Sequence, residues 1–225
     1  MSSGLEQAGV PAAASRGGRP SREAAQQLGE RILDAATELM LENGYGATSI
    51  EAVAARAGVS KRTFYHRFAD KSVLVQAVVA RIVDAARPAA RAPEGHAGDL
   101  AGALLEFGNR TLQAALAPQV LALYRLMVGE SHRFPDLLTA AALTGGRTRT
   151  VQMLAGLLRK ELPGLDADDA EFAANQFLQL LVSLPQLRAL GIGDPMPPGD
   201  CERWVGRSVS LLLDGLRARA SGQPG

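Results

Sequence analysis

An all-α fold of about nine helices is predicted by three features of the 225-residue chain. Apolar residues recur at three- and four-residue spacing in segment after segment, which is the period of one helix face. Ser, Thr or Asp precedes these segments and Gly, Asn or Pro follows them, as helix starts and stops require. No stretch alternates apolar and polar residues at the period of a half-buried strand, and no hairpin dipeptide joins two apolar runs.

Each element follows from its residues. Residues 1–20 are small, polar and punctuated by Pro and Gly, so they are predicted to be a flexible arm. Ser21 suits the cap of a first helix, with Glu23 in its first turn and Leu28, Ile32, Leu33, Ala36, Leu39 and Met40 on one face. Asn43-Gly44 should stop it, with Gly44 in the left-handed position past its end. Thr48-Ser49-Ile50-Glu51 reads as a capping box with Thr48 at the cap. The short helix it starts shows Ile50, Val53, Ala54 and Ala57 on one side and ends at Gly58. Ser60 caps another short helix, on which Phe64 and Phe68 face the same way. Asp70 caps a long helix from Lys71 to about Arg87, with Val73, Leu74, Ala77, Val78, Ile82 and Val83 as its stripe, and Pro88 and Pro93 bracket a loop. Further helices are expected over 98–117, 118–132, 135–161, 166–190 and 199–219, with a tail at 220–225. Gly145-Gly146 marks a possible split in the third of these, and Pro185 should kink or end the fourth.

Composition excludes several classes. Hydrophobic residues make up 47%, enough for a buried core. The net charge is only +1, so any nucleic-acid footprint must be local. Cys201 is the only cysteine, which excludes an intramolecular disulfide and a Cys-rich zinc site. His66, His96 and His132 stand at no ligand spacing with it, so neither a metal nor a cofactor is expected. The start shows no basic and apolar leader, and no run reaches the ~20 apolar residues of a spanning helix, so a soluble cytoplasmic chain without membrane contact is expected. Neither a Gly-x-Ser-x-Gly elbow nor a phosphate-cradling Gly loop after a strand is present, so an enzyme is not expected.

The informative stretch runs from Ala47 to Lys71. Two short helices joined by Ala57-Gly58-Val59 have the helix-turn-helix format. With Phe64 and Phe68 turned inward, the second helix offers its remaining residues to a major groove, N-terminal turn nearest the base edges. Lys61 and Arg62 in that turn are candidate base readers, because both side chains pair with guanine O6 and N7. Thr63, Tyr65, Arg67 and Lys71 suit phosphates; His66 lies on the same helix, and Thr48, Ser49 and Ser60 stand at the helix starts, whose amides attract anions. Such basic residues are often just a solvated face. Here Arg56, Lys61, Arg62, Arg67 and Lys71 fall close together in sequence against Asp70 alone, interleaved with the two phenylalanines. Arg16-Gly17-Gly18-Arg19-Pro20 reads either as an arm that enters a minor groove through Arg16 and Arg19 or as an ordinary leader.

These residues resemble the DNA-binding domain of the TetR family of regulators. The resemblance rests on Asn43-Gly44-Tyr45, Thr48-Ser49-Ile50, Ala57-Gly58-Val59-Ser60, Thr63-Phe64-Tyr65-His66-Arg67-Phe68 and Lys71, and covers roughly residues 26–75. It implies a homodimeric regulator, usually a repressor, whose C-terminal domain binds a small molecule and dimerises. It also implies that Tyr65 and Lys71 hold phosphates. Arg125 to Leu137, reading RLMVGESHRFPDL, is similar to the C-terminal domain of the AefR-like branch.

The expected organisation is therefore an arm (1–20), a three-helix head (21–70), a helical effector-binding and dimerisation domain (71–219) and the tail. The expected function is release of a palindromic operator when an apolar or amphipathic molecule binds. The alternatives are an activator of the same family, or an architectural DNA-binding protein with no effector. Leu104, Phe107, Leu123, Met127 and Leu154, with Asn109, Arg125 and Gln152 as polar groups, are the candidate pocket residues; a solid core is the bland alternative. Phe177, Leu181, Leu184, Trp204, Val209, Leu212 and Leu216 on the last two long helices are the candidate dimer interface, against the alternative that they complete the monomer core.

Overall fold

The computed structural model describes residues 22–86, 99–130, 132–135, 139, 145–194, 196–197 and 199–220. Among them no strand occurs and nine helices follow one another. They are α1 (Arg22–Ala47), α2 (Ile50–Arg56), α3 (Lys61–Arg67), α4 (Lys71–Ala86), α5 (Leu100–Ala115), α6 (Pro118–Glu130), α7 (Gly146–Glu161), α8 (Ala167–Ala189) and α9 (Asp200–Ala220). The predicted arm with Arg16 and Arg19, the Ser21 cap, the loop holding Pro88, Pro93 and His96, and the tail beyond Ala220 lie outside the described residues.

Two buried clusters organise the chain. In the first, Ile32, Ala36 and Met40 of α1 meet Val53 of α2, Phe64 of α3 and Leu74, Val78 and Ile82 of α4. Leu123 of α6 is buried in the same cluster, and Leu126, Met127 and Phe134 pack against it. In the second, Leu104 and Phe107 of α5, Leu154 and Leu158 of α7, Phe177 and Leu181 of α8, and Val205 and Val209 of α9 are buried together. The Phe107 and Phe177 rings stack with centroids 6.5 Å apart. Gly108 lets α5 approach α9 closely: a Cβ there would stand 2.6 Å from Val205 Cγ1. No single described helix is long and apolar enough to cross a membrane; α5 and α6 reach that length only together, across a 62° bend.

Several local expectations are corrected. Gly44 does break α1, but at φ 85°, ψ 163° rather than in the left-handed helical well, and a further turn runs to Ala47. Only glycine adopts that conformation without strain. The cap of α2 is Ser49, not Thr48: Ser49 Oγ accepts from Ala52 N at 3.1 Å. Thr48 is buried and its hydroxyl donates back to Gly44 O at 2.8 Å. Val73 is exposed, and the buried stripe of α4 is Leu74, Val75, Val78, Val79 and Ile82. Asp70 does cap α4, its Oδ1 accepting from Val73 N at 2.8 Å.

In the C-terminal half, α7 starts at Gly146 behind Gly145, whose φ of 60° is left-handed. Most of the predicted residues before it in the 135–161 span lie outside the described residues. Pro185 neither ends α8 nor is exposed; the helix runs through it to Ala189. Proline has no N–H, so the Leu181 carbonyl, four residues back, loses its helical donor. The Trp204 indole N–H takes that place, donating to Leu181 O at 3.2 Å and Leu180 O at 3.1 Å.

Candidate nucleic-acid interface

The second short helix, α3, is held by two aromatic rings. Phe64 is fully buried and Phe68 nearly so, with centroids 5.7 Å apart. Its start is fixed by Ser60, whose Oγ accepts from Thr63 N at 3.1 Å and shares a hydrogen with Thr63 Oγ1 at 2.8 Å. This leaves Lys61, Arg62, Tyr65, His66 and Arg67 exposed. Tyr65 stands with half its surface in solvent, its ring edge-on to Phe64 at 5.6 Å.

The basic cluster is less free than its linear spacing implies. Lys61 Nζ pairs with Glu51 Oε1 of α2 at 2.7 Å. Their hydrogen bond, with the Coulomb attraction, lifts the lysine pKa and lowers that of the carboxyl. Arg56 turns to α1, 3.1 Å from Glu38 and 3.8 Å from Glu42. The Arg67 guanidinium lies across Gly29 of α1, where a Cβ would come within 2.9 Å of it. Lys71 is half-buried: its Nζ donates to Tyr45 O and sits 4.1 Å from the Tyr45 ring centroid. Burial pushes its pKa down, and Glu130 opposes that shift. Arg62 and His66 pair with no described residue. The Glu51, Glu38 and Glu42 carboxylates come from outside the basic window, so sequence distance hid them. The Lys61 pair is exposed on both sides, and such pairs are worth little, so a phosphate can replace the carboxylate.

None of the candidate pocket residues lines the cavity among α5, α6, α7 and α8. Leu104, Phe107 and Leu154 are solid core of the second cluster, and Leu123 and Met127 belong to the first. Asn109 and Gln152 are exposed. Arg125 reaches out to Ala189 O at 3.3 Å. That cavity has a volume of about 330 Å³. Leu178, Val182 and Leu187 give it an apolar wall; Thr111, Tyr124, Arg147, Thr150, Gln179, Ser183 and Gln186 supply polar groups. Thr111 Oγ1 is buried without a hydrogen-bond partner, an uncommon and costly state that a bound molecule would relieve. Gln186 spends its amide N–H on Ala115 O, which leaves its carbonyl oxygen as an acceptor. The missed signal is the i, i+4, i+7 run of polar residues Gln179, Ser183 and Gln186 on one side of α8.

The expected interface residues are mostly internal. Phe177, Leu181, Val209 and Leu216 are buried within one chain, Trp204 is spent on α8 carbonyls, and Leu212 is half-buried. Leu184 is exposed. The most open apolar residues of α8 and α9 are Phe172 and Leu211, at 58% and 64% exposure; they flank a groove of about 390 Å³ whose lining also includes the expected Phe177, Leu212 and Leu216. No group of described His, Cys, Asp or Glu residues is arranged to hold a metal ion.

Comparison with known proteins follows the same division. Residues 32–78 match the family described as bacterial regulatory proteins, tetR family. Residues 102–215, half of the chain, match the AefR-like transcriptional repressor C-terminal domain. A solved structure of a flavonoid-responsive regulator, FrrA, superposes with a TM-score of 0.72 at 30% identity, covering 84% of this chain and 97% of that one. The regulator TtgR of Pseudomonas putida is 26% identical over 208 residues, 86% of this chain and 95% of its own. UidR of Escherichia coli is 40% identical over 55 residues, and that match spans 24% of this chain and only 28% of UidR.

Proposed function

The chain belongs to the TetR family of bacterial regulatory proteins, with an AefR-like C-terminal domain, and from that membership we propose a ligand-responsive repressor that binds a palindromic operator as a homodimer. It is a DNA-binding transcription regulator and not an enzyme. The observation that carries the finer reading is the free face of α3: Arg62, Tyr65 and His66 stand exposed on a helix whose other side is pinned by buried rings. In this reading Arg62 reads bases. Lys61 joins it by exchanging Glu51 for the DNA, and Tyr65 with Thr63 and Ser49 holds phosphates. Thr48 and Lys71 act inside the head instead, through Gly44 O and Tyr45 O. The two buried clusters support the division into a head and a C-terminal domain, although α6 packs into the first cluster while its Tyr124 lines the cavity of the bundle. Repression is favoured by the description of the C-terminal family. Acting on the cell's DNA places the protein in the cytoplasm.

Footprinting on DNA upstream of its own gene tests this directly. Wild type should protect two half-sites about one helical turn, or a multiple, apart. Arg62→Ala should cost about 1–3 kcal/mol, roughly 5- to 150-fold in affinity, and relax the preference at one position per half-site. Wild-type specificity in Arg62→Ala would remove α3 from the reading face.

The effector is proposed to occupy the cavity between α5 and α8. Its apolar wall and one cationic side chain, Arg147, fit a ring-bearing amphipathic molecule with hydroxyl or carbonyl groups, neutral or singly anionic. The cavity lies at the small end of ligand sites. Flavonoids are the first compounds to try, because the related FrrA is named as responsive to them. A hundredfold loss of operator affinity requires about 2.7 kcal/mol of coupling, and operator DNA must weaken the effector by the same factor. Calorimetry with free and operator-bound protein should show that drop; equal affinities would exclude the switch.

A further inference from the structure

The end of α6 contacts neither the exposed face of α3 nor the cavity wall, yet it grips the head. We propose that Glu130 and Phe134 form a clasp on the α1–α2 turn, and that this clasp sets the angle of the head on the C-terminal bundle. Glu130 Oε2 accepts a hydrogen bond from Gly46 N at 2.8 Å. A Cβ built on Gly44 would land on the same carboxylate, and one on Gly46 would come within 3.0 Å of the Phe134 ring. Between the two glycines, Tyr45 is buried and meets Phe134 edge-to-face at 5.1 Å. Lys71, at the head of α4, donates to the Tyr45 carbonyl, so the clasp reaches α4 through the same residue. The two glycines, with the positive φ that only glycine adopts freely at Gly44, thus make room for a carboxylate from a helix more than eighty residues away in sequence.

The position of α6 makes this clasp a transmitter. Tyr124 lines the cavity while its neighbour Leu123 is buried in the core of the head. Glu130 lies under two turns further along the same helix. A shift of α6 at the cavity is therefore carried to the turn that precedes Ser49, and so to the start of α2 and the placement of α3. This role rests on the ligand-responsive reading above, and it assigns the Arg125–Leu137 motif to coupling rather than to effector contact.

The test uses the full-length protein and its footprinted operator, with hydrogen exchange read by mass spectrometry with and without DNA. In wild type, operator binding should protect both α3 and the peptide covering α6. In Glu130→Ala the protection of α6 should vanish while α3 stays protected, and affinity should fall about tenfold, the worth of a hydrogen bond to a charged group. Glu130→Gln keeps an acceptor oxygen, folds without a lost contact, and should retain α6 protection with about threefold weaker binding. Sedimentation should remain that of wild type in both. Undiminished α6 protection and affinity in Glu130→Ala would overturn the clasp, as would loss of α6 protection in Glu130→Gln equal to that in Glu130→Ala. Failure of the wild type to footprint any operator would instead overturn the function on which the clasp rests.

Discussion

Replacing Leu211 by aspartate is expected to give a folded protein that sediments as a monomer and leaves no footprint on the operator. Leu211 is the most exposed large apolar residue of α9, and Phe172 of α8 faces the same groove. If two copies pair through this face, an aspartate there buries an unpaired charge, which costs about 3–5 kcal/mol and shifts the dimer equilibrium by more than about a hundredfold. In the proposed dimer each copy brings one α3 to one half-site. Losing the link between two heads therefore removes an avidity gain of about 10²–10⁴ on top of any other effect. Phe177→Asp is the control. Phe177 is 1% exposed within a single chain, so that variant should unfold the bundle rather than yield a clean monomer. A Leu211→Asp protein that remains dimeric at micromolar concentration would move the interface elsewhere.

That control marks where the sequence stopped being informative. Helical period tells which residues of α8 and α9 share a face, but each helix has two apolar faces here. One packs on α5 and α7, and the other stays open. Leu181 and Val209 lie on the inner one, Phe177 is buried between the two and also lines the groove, and nothing in their spacing distinguishes them from Phe172 and Leu211. The head was far more legible. Cap residues, the turn glycine and the Phe64–Phe68 pair are local signals, and they placed α2, α3 and α4 within a residue or two. The exception is the cap itself, where Thr48 and Ser49 are chemically alike and only the fold decides which hydroxyl faces α2. Ion pairs were illegible for a different reason: Glu38, Glu42 and Glu51 reach the basic cluster through space. The cavity was missed because apolar periodicity points to core, and the polar residues that line it look like surface until four helices converge around them.

Phe64→Ala is expected to abolish operator binding while leaving the dimer intact. Phe64 has no solvent exposure and sits where α1, α2 and α4 meet α3. Removing its ring leaves a cavity that costs about 3–5 kcal/mol, a large fraction of what a small domain has to spare. The helix it anchors has only seven residues and cannot persist alone, because nucleating so short a helix in water is unfavourable. The face carrying Arg62, Tyr65 and His66 should therefore be lost as a unit. The second cluster shares no buried residue with the first, so Phe107, Phe177 and Val209 keep their packing. Circular dichroism should then show a partial loss of helix, with a separate, lower melting step, and sedimentation should be unchanged. Leu123 adds a refinement: since it is buried among the residues of the head, the C-terminal turns of α6 should loosen with it, and hydrogen exchange should rise there but not in α8. Phe107→Ala should do the reverse, weakening the bundle and its dimer first. If Phe64→Ala weakened dimerisation as much as it weakened DNA binding, the two clusters would be one cooperative unit, and the division of labour between head and bundle proposed above would fall.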